Sequence, residues 1–177
     1  HDGWVFGASD PLSGQTALLA EAKALGQMAK AGWKPKRTIV YTSWDAEEPM
    51  LLGSTEWAED HADELKKKAI VYINSDGNGR GILNVGGSED LSKFVSDTLA
   101  GLKDPETGQS VDARRRAKLR MAGPMADEHD RAMGRQAADA SKNMPLEPLG
   151  SGSDYSAYLQ HLGLATLDYG YGGEGRS

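Results

Sequence analysis

Residues 38–52 read TIVYTSWDAEEPMLL, a β-branched run that stops abruptly at a cluster of carboxylates. Ile39 and Val40 predict a buried strand with Tyr41 and Trp44 close by, and the apolar Met50, Leu51 and Leu52 predict the start of a helix. Asp45, Glu47 and Glu48 then fall in a strand-to-helix turn. Open α/β sheets carry their chemistry there, in the crevice beyond the carboxyl ends of the strands. Adjacent glutamates in an extended turn point in different directions, so one can hold a metal while the other handles a proton. A solvated acidic loop is the competing reading, and on this stretch alone the two stand level.

The flanking sequence extends the α/β pattern. Residues 15–32 place Leu18, Ala22, Leu25 and Ala29 at three-to-four spacing, which predicts a helix with one buried stripe, capped by Ser13 and ended by Gly32. Residues 50–68 predict a helix whose C-terminus carries Lys66, Lys67 and Lys68. The run AIVYIN at 69–74 predicts a second strand, and it too ends in an acid, Asp76. Two strands joined through a helix form a βαβ unit with both carboxyl ends on one edge, which would bring Asp76 near Glu47 and Glu48.

Residues 82–85 predict a short strand among glycines, and residues 89–102 a helix with Leu91, Val95, Leu99 and Leu102 on one face. Residues 112–143 carry no clear period. Their basic cluster Arg114, Arg115, Arg116, Lys118 and Arg120 lacks the interleaved aromatics of a nucleic-acid surface, so a solvated helix or subunit contact is expected. A helix is predicted over 154–162, a strand over 164–167, and the ending YGYGGEGRS reads as a loop.

Composition sets outer limits. A chain of 177 residues, 38% hydrophobic and 26% charged, suits one domain, residues 1–177. The net charge of −6 argues against nucleic acid as the main partner. With no cysteine, disulfides, thiolate metal sites and cysteine nucleophiles are excluded. No apolar run approaches the roughly 18 residues that suggest a membrane span.

Asp10, Glu47, Glu48 and Asp76 are therefore four carboxylates on loops that a parallel sheet can gather at one edge. Without cations they would repel and raise one another's pKa. Two divalent ions ~3.5–4 Å apart would relieve this, acidify a shared water and clamp a carbonyl substrate. In that scheme Asp10 is a candidate bridge, Glu48 and Asp76 are terminal ligands, and Glu47 is a general base.

Four stretches carry a family resemblance: WVFGASDPLSG (4–14), SWDAEEPMLLGSTEW (43–57), YINSD (72–76) and LGSGSDY (149–155). In this order they closely resemble the co-catalytic dizinc exopeptidases of the glutamate carboxypeptidase II and transferrin receptor branch. The resemblance implies a three-layer sandwich, a mostly parallel mixed sheet flanked by helices, binding two zinc ions and hydrolysing peptide substrates. It makes Asp10 the bridging ligand, Glu47 the general base that activates a metal-bridging water, Glu48 the ligand of one zinc and Asp76 the ligand of the other. It places Ser151, Gly152 and Ser153 in a turn near the substrate. It also suggests a secreted, periplasmic or membrane-anchored parent that can form a homodimer.

The chain departs from the family in three places. The family's first His ligand belongs to an H-x-D pattern whose register puts it just before residue 1, so His1 occupies the intervening position and Asp2 is the acid that would orient the missing ligand. The last His ligand, in a Tyr-His-Ser motif, would follow Ser177. The chain thus reads as a peptidase domain truncated at both ends, with each zinc lacking one His. Asn84, Asp168 and Gly170 stand where arginines that recognise a C-terminal glutamate would be, so glutamate specificity is not implied.

His61, His129 and His161 are expected in surface or structural roles, and Ser151 and Ser153 lack the G-x-S-x-G elbow of a nucleophile. A non-catalytic receptor or assembly module is the alternative function, or a fragment made inert by its missing ligands. Calcium binding is weaker, since no D-x-D-x-D-G spacing occurs. A structural prediction concerns Asp10–Pro11, where a cis bond would suit a tight turn aiming the Asp10 carboxylate.

A catalytic zinc needs about three protein donors plus water. The 177-residue piece alone is therefore expected to bind zinc poorly and to show little peptidase activity. Zinc titration and peptide hydrolysis beside a chain extended through both expected histidines check this. Equal tight binding of two ions and equal activity in the two would overturn the register given to His1, or the truncation.

Overall fold

The computed structural model describes residues 6–121, 123 and 125–175. His1 and Asp2 lie outside the described residues. Helix α1 spans Leu12–Lys30, α2 Leu52–Asp60 and α3 Ala62–Lys68. Strand β1 is Tyr72–Asn74 and β2 is Gly81–Gly87. A 3-10 turn at Glu89–Leu91 leads into α4, Ser92–Ala100, followed by α5, Val111–Arg120, and α6, Glu128–Ala138. A π-type turn at Ala157–His161 precedes β3, Thr166–Gly173. None of the described helices is long and apolar enough to cross a membrane.

The three strands form a mixed sheet in the order β1-β3-β2, with β1 parallel and β2 antiparallel to β3. The expectation of an α/β chain with helices against a sheet holds, but the described sheet is not mostly parallel, since its longer pairing is antiparallel. Two strand assignments change. Residues 38–44 form no strand: Ile39 is 46% and Val40 67% exposed. Strand geometry requires a backbone ladder, and the ladders of the described sheet join β1, β2 and β3 only. β1 therefore finds its parallel partner in β3, not in a βαβ unit with residues 38–44. Conversely, residues 169–173, read as loop, belong to the central strand.

The helices differ from expectation in smaller ways. α1 begins after Pro11, and Ser13 does not cap it; its hydroxyl instead accepts from Asn78 N at 2.8 Å. The stripe of α1 is only partly covered, with Ala29 exposed and Gly14 its buried residue. The helix expected over 50–68 breaks at His61, which closes α2 and opens α3.

Strand alternation splits the sheet into two chemical faces. Leu83 and Val85 of β2 pair with Tyr171 and Tyr169 of β3, and these residues pack with Leu167, Val95, Leu99, Val111, Met144 and Leu146 into the larger core. The opposite face carries the β1 and β3 pairs Tyr72 with Thr166 and Asn74 with Asp168. A second cluster lies there, built from Ala58, Ala157, Tyr158 and Leu162 with Trp44, Trp57 and Tyr72.

Three arginines of α5, Arg114, Arg115 and Arg116, are not solvated, whereas Arg120 is exposed. Arg115, 1% exposed, donates to the carbonyls of Leu83 at 3.1 Å, Val85 at 3.0 Å and Pro145 at 3.4 Å. Arg116 donates to Ala137 O, Asp139 O and Lys142 O, closing the end of α6, and bonds Asp112 at 2.9 Å. Arg114 pairs with Asp104 and Glu174. The expectation of a solvated face is thus corrected for Arg114, Arg115 and Arg116, while Lys118 and Arg120 are exposed. The planar guanidinium, with five donors, suits the carbonyls left open at a strand edge and a helix end. Glu147 completes the same edge, its carbonyl accepting from Gly87 N at 2.9 Å and its amide donating to Val85 O at 3.3 Å.

Two substitutions test these contacts. Arg115→Leu strands buried carbonyls, each costing about 1–3 kcal/mol when unsatisfied. The urea midpoint is expected to fall well below that of the parent sequence, and an unchanged midpoint would remove the clamp. Gly14 packs where an added Cβ would meet Ser75 O at 1.9 Å and Asp76 O at 2.6 Å, both backbone atoms. Gly14→Ala is expected to cost about 1–3 kcal/mol by overpacking. Thermal unfolding with no shift in midpoint would show that α1 does not press on the end of β1.

Candidate active site

The site forms where three chain segments meet beyond the carboxyl end of β1. The first is the loop before α1, in which Asp10–Pro11 is cis, as expected from the sequence. A backbone bond from Gly14 N to Asp76 O, 3.1 Å, ties the start of α1 to the residue that follows the strand. The second segment is the carboxylate turn. Ala46, Met50 and Leu51 there adopt left-handed backbone, with φ of 50°, 76° and 60°. For residues with a Cβ this costs on the order of 1–3 kcal/mol each and persists where surrounding bonds over-determine it. Those bonds are Leu51 N to Glu47 O at 2.7 Å, Leu52 N to Ala46 O at 3.0 Å and Gly53 N to Asp45 O at 3.3 Å. The third segment is the turn at 149–156 that leads into the π-type helix.

Glu47 is half-buried, while Glu48 and Asp10 are exposed and Asp76 is half-buried. Burial first, then the charges of Asp154, Glu48, Asp76 and Asp10, raise the Glu47 carboxyl above the ordinary glutamate range. The four acids picked from the sequence therefore share one electrostatic neighbourhood. Among the described residues no three His, Asp or Glu groups stand close enough to enclose a single metal ion. Ser151 and Gly152 are exposed in the neighbouring turn, and Gly152 takes a φ of +113°. Ser153 is buried, and its hydroxyl donates to Asp76 Oδ2 at 2.5 Å.

Two residues of the site, Asp154 and Asn74, were not singled out from the sequence, and a third, Asp168, was noted only as standing in place of a family arginine. Asp154 is 6% exposed, and its carboxyl is raised by burial against a hydrogen bond from Ser54, with the Asp76 charge adding to the rise. Its Oδ1 is buried with no hydrogen-bond partner. Asn74 donates from Nδ2 to Ser153 Oγ at 3.0 Å and to Asp168 Oδ1 at 3.1 Å. Asp168 is likewise raised by burial, opposed by that bond from Asn74. Alternation along β1 could have flagged Asn74, since it shares a face with Tyr72, but nothing local marks it as a hub. Asp154 sits inside the quoted LGSGSDY motif, yet reads from sequence as an ordinary helix start.

An aromatic wall closes one side. Tyr72 stacks on Tyr158 at 3.9 Å and 5°, Trp44 lies 5.4 Å from Trp57, and burial drives both tyrosine hydroxyls far above their usual range. A cavity of about 230 Å³ opens between α1, residues 42–44 and β1, and Asp76 and Asp154 line it. The histidines are structural or peripheral. His61 stacks on Trp57 at 4.2 Å and bonds its carbonyl through Nδ1 at 2.9 Å, His129 pairs with Glu147 on the surface, and His161 is exposed.

Known proteins resemble this sequence. The model of peptidase family M28 matches residues 1–173. A probable glutamate carboxypeptidase of Arthroderma benhamiae is 39% identical over 100% of this chain. The probable glutamate carboxypeptidase VP8 of Zea mays is 36% identical over 98% of it, and the aminopeptidase NAALADL1 of Mus musculus 34% over 97%. The chain spans 22% of the length of each of these curated relatives. With nearly every residue inside the family match, the chain belongs to peptidase family M28.

Proposed function

We propose that this chain is the base-bearing and ligand-bearing part of a zinc-dependent exopeptidase, whose parent folds as a three-layer α/β sandwich. The observation that carries the reading is the half-buried Glu47, whose carboxyl is raised by burial and by the neighbouring charges of Asp154, Glu48, Asp76 and Asp10. Such a cluster is unfavourable until a cation enters it. The donor chemistry fits divalent zinc, and carboxylates from three separate segments fit a pair of ions better than one. Asp10 is assigned as the shared ligand, with Glu48 on one ion and Asp76 on the other.

When bound, the two ions would supply Lewis acidity toward the substrate carbonyl and toward water. The chain's own residues do the rest. Glu47 takes the proton from the attacking water on its carboxylate and returns it to the leaving amine, a role suited to a carboxyl that burial and neighbouring acids raise above the ordinary glutamate range. The Trp44, Trp57, Tyr72 and Tyr158 wall excludes water from one flank. The strained backbone around Ala46, Met50 and Leu51 fixes the direction in which Glu47 points. Ser151 and Gly152, exposed at the neighbouring turn, are placed to meet the peptide substrate.

Glu47→Gln in the full-length parent is the direct test. The amide preserves shape but cannot accept the proton, and general-base catalysis is typically worth about 10²–10⁴-fold. Turnover is expected to fall by that order while zinc content stays at wild-type level. Activity near wild type would place the base elsewhere.

A further inference from the structure

We infer that Asn74 and Ser153 are positioning residues for Asp76, the receiving end of a one-directional hydrogen-bond relay that begins at the Trp44 indole. The inference rests on the zinc reading above and concerns how one of its ligands is aimed. The relay crosses three segments that are distant in sequence: the carboxylate turn, β1 and the turn at 149–156.

The direction follows from which groups can only donate or only accept. Indole Nε1 has a hydrogen and no lone pair. Trp44 therefore donates to the Tyr72 hydroxyl, 3.0 Å away. With that oxygen accepting, the Tyr72 hydrogen is directed to Asn74 Oδ1 at 3.3 Å. The Asn74 amide is thereby oriented with Nδ2 on the other side, where its two hydrogens go to Ser153 Oγ and Asp168 Oδ1. Ser153 Oγ, accepting from Asn74, has one hydrogen left, and it goes to Asp76 Oδ2 at 2.5 Å. A carboxylate only accepts, so the relay ends there.

The reverse arrangement is unfavourable. Turning the Asn74 amide would set Oδ1 against the Asp168 carboxylate and leave Ser153 one hydrogen for two acceptors. Both Asn74 and Ser153 are 5% exposed, so water cannot readily replace a lost partner. One oxygen of Asp76 is thus held by Ser153, and rotation about its terminal bond is restricted. The remaining lone pairs keep a fixed direction, as required of a carboxylate ligand whose geometry sets metal affinity. Asp168 acts as the counterweight that holds the amide in register.

The test is zinc competition against a chromophoric chelator, using the full-length parent, its Ser153→Ala, Ser153→Thr and Asn74→Asp variants, and melting of each metal-free protein. Loss of an outer-shell partner typically costs about 10–100-fold in metal affinity. In Ser153→Ala one of the two zinc-binding steps is expected to weaken by that factor while the other is unchanged. Ser153→Thr, which keeps the hydroxyl, is expected to restore it. Asn74→Asp, which sets a carboxylate against Asp168 and Ser153, is expected to weaken the same step. Two binding steps in Ser153→Ala equal to wild type would overturn the relay alone, as would equal weakening of both steps together with a lower metal-free melting point. A wild-type parent that binds no zinc would overturn the metal reading and this role for Asp76 with it.

Discussion

Each strand pairing in the described sheet runs through β3, which holds β1 by parallel and β2 by antiparallel bonds. Side chains alternate along β3 with period two, so the single strand sorts the molecule into a dry side and a reactive side. Leu167, Tyr169 and Tyr171 seal the main core, while Thr166 and Asp168 face the segments that carry the acids. A slip of one residue would exchange the two sets. The parallel register with β1, in which Asn74 pairs directly with Asp168, is therefore what keeps the two side chains within reach.

That dependence explains what could be read in advance. The helices α1 and α4, the carboxylate turn, the family and the grouping of Asp10, Glu47, Glu48 and Asp76 rest on local pattern or on conspicuous motifs. The strand character of residues 169–173 does not. Gly170, Gly172 and Gly173 have little intrinsic preference for strand, and they adopt it because β2 supplies a ladder. At Gly170 the approach of Gly77 O to 2.4 Å of an imagined Cβ shows that bare backbone is required. Residues 38–44 show the opposite case: high strand propensity in Ile39 and Val40, and no ladder with β1, β2 or β3. In both places tertiary pairing outweighs propensity.

The basic run at 114–116 was illegible for a related reason. Charge predicts solvent contact only when the backbone offers nothing better. Here α5 lies along carbonyls that β2 and α6 leave open, and three consecutive arginines take three different tasks. Buried polar hubs such as Asn74 and Asp154 are similarly silent in sequence, since their partners lie far along the chain, as the 79-residue separation of Asn74 and Ser153 illustrates.

The Arg115 clamp also determines where this sheet can grow. With Arg115 and Glu147 occupying the outer carbonyls and amides of β2, that margin is shut to any further strand. The margin of β1 carries no such cover among the described residues, and it faces the cavity bordered by residues 42–44. Extension of the sheet is thus polarised toward the side that holds the acids. A strand added at that margin would border the same cavity as Asp76 and Asp154, so the open edge of the sheet and the acid-lined crevice share one wall.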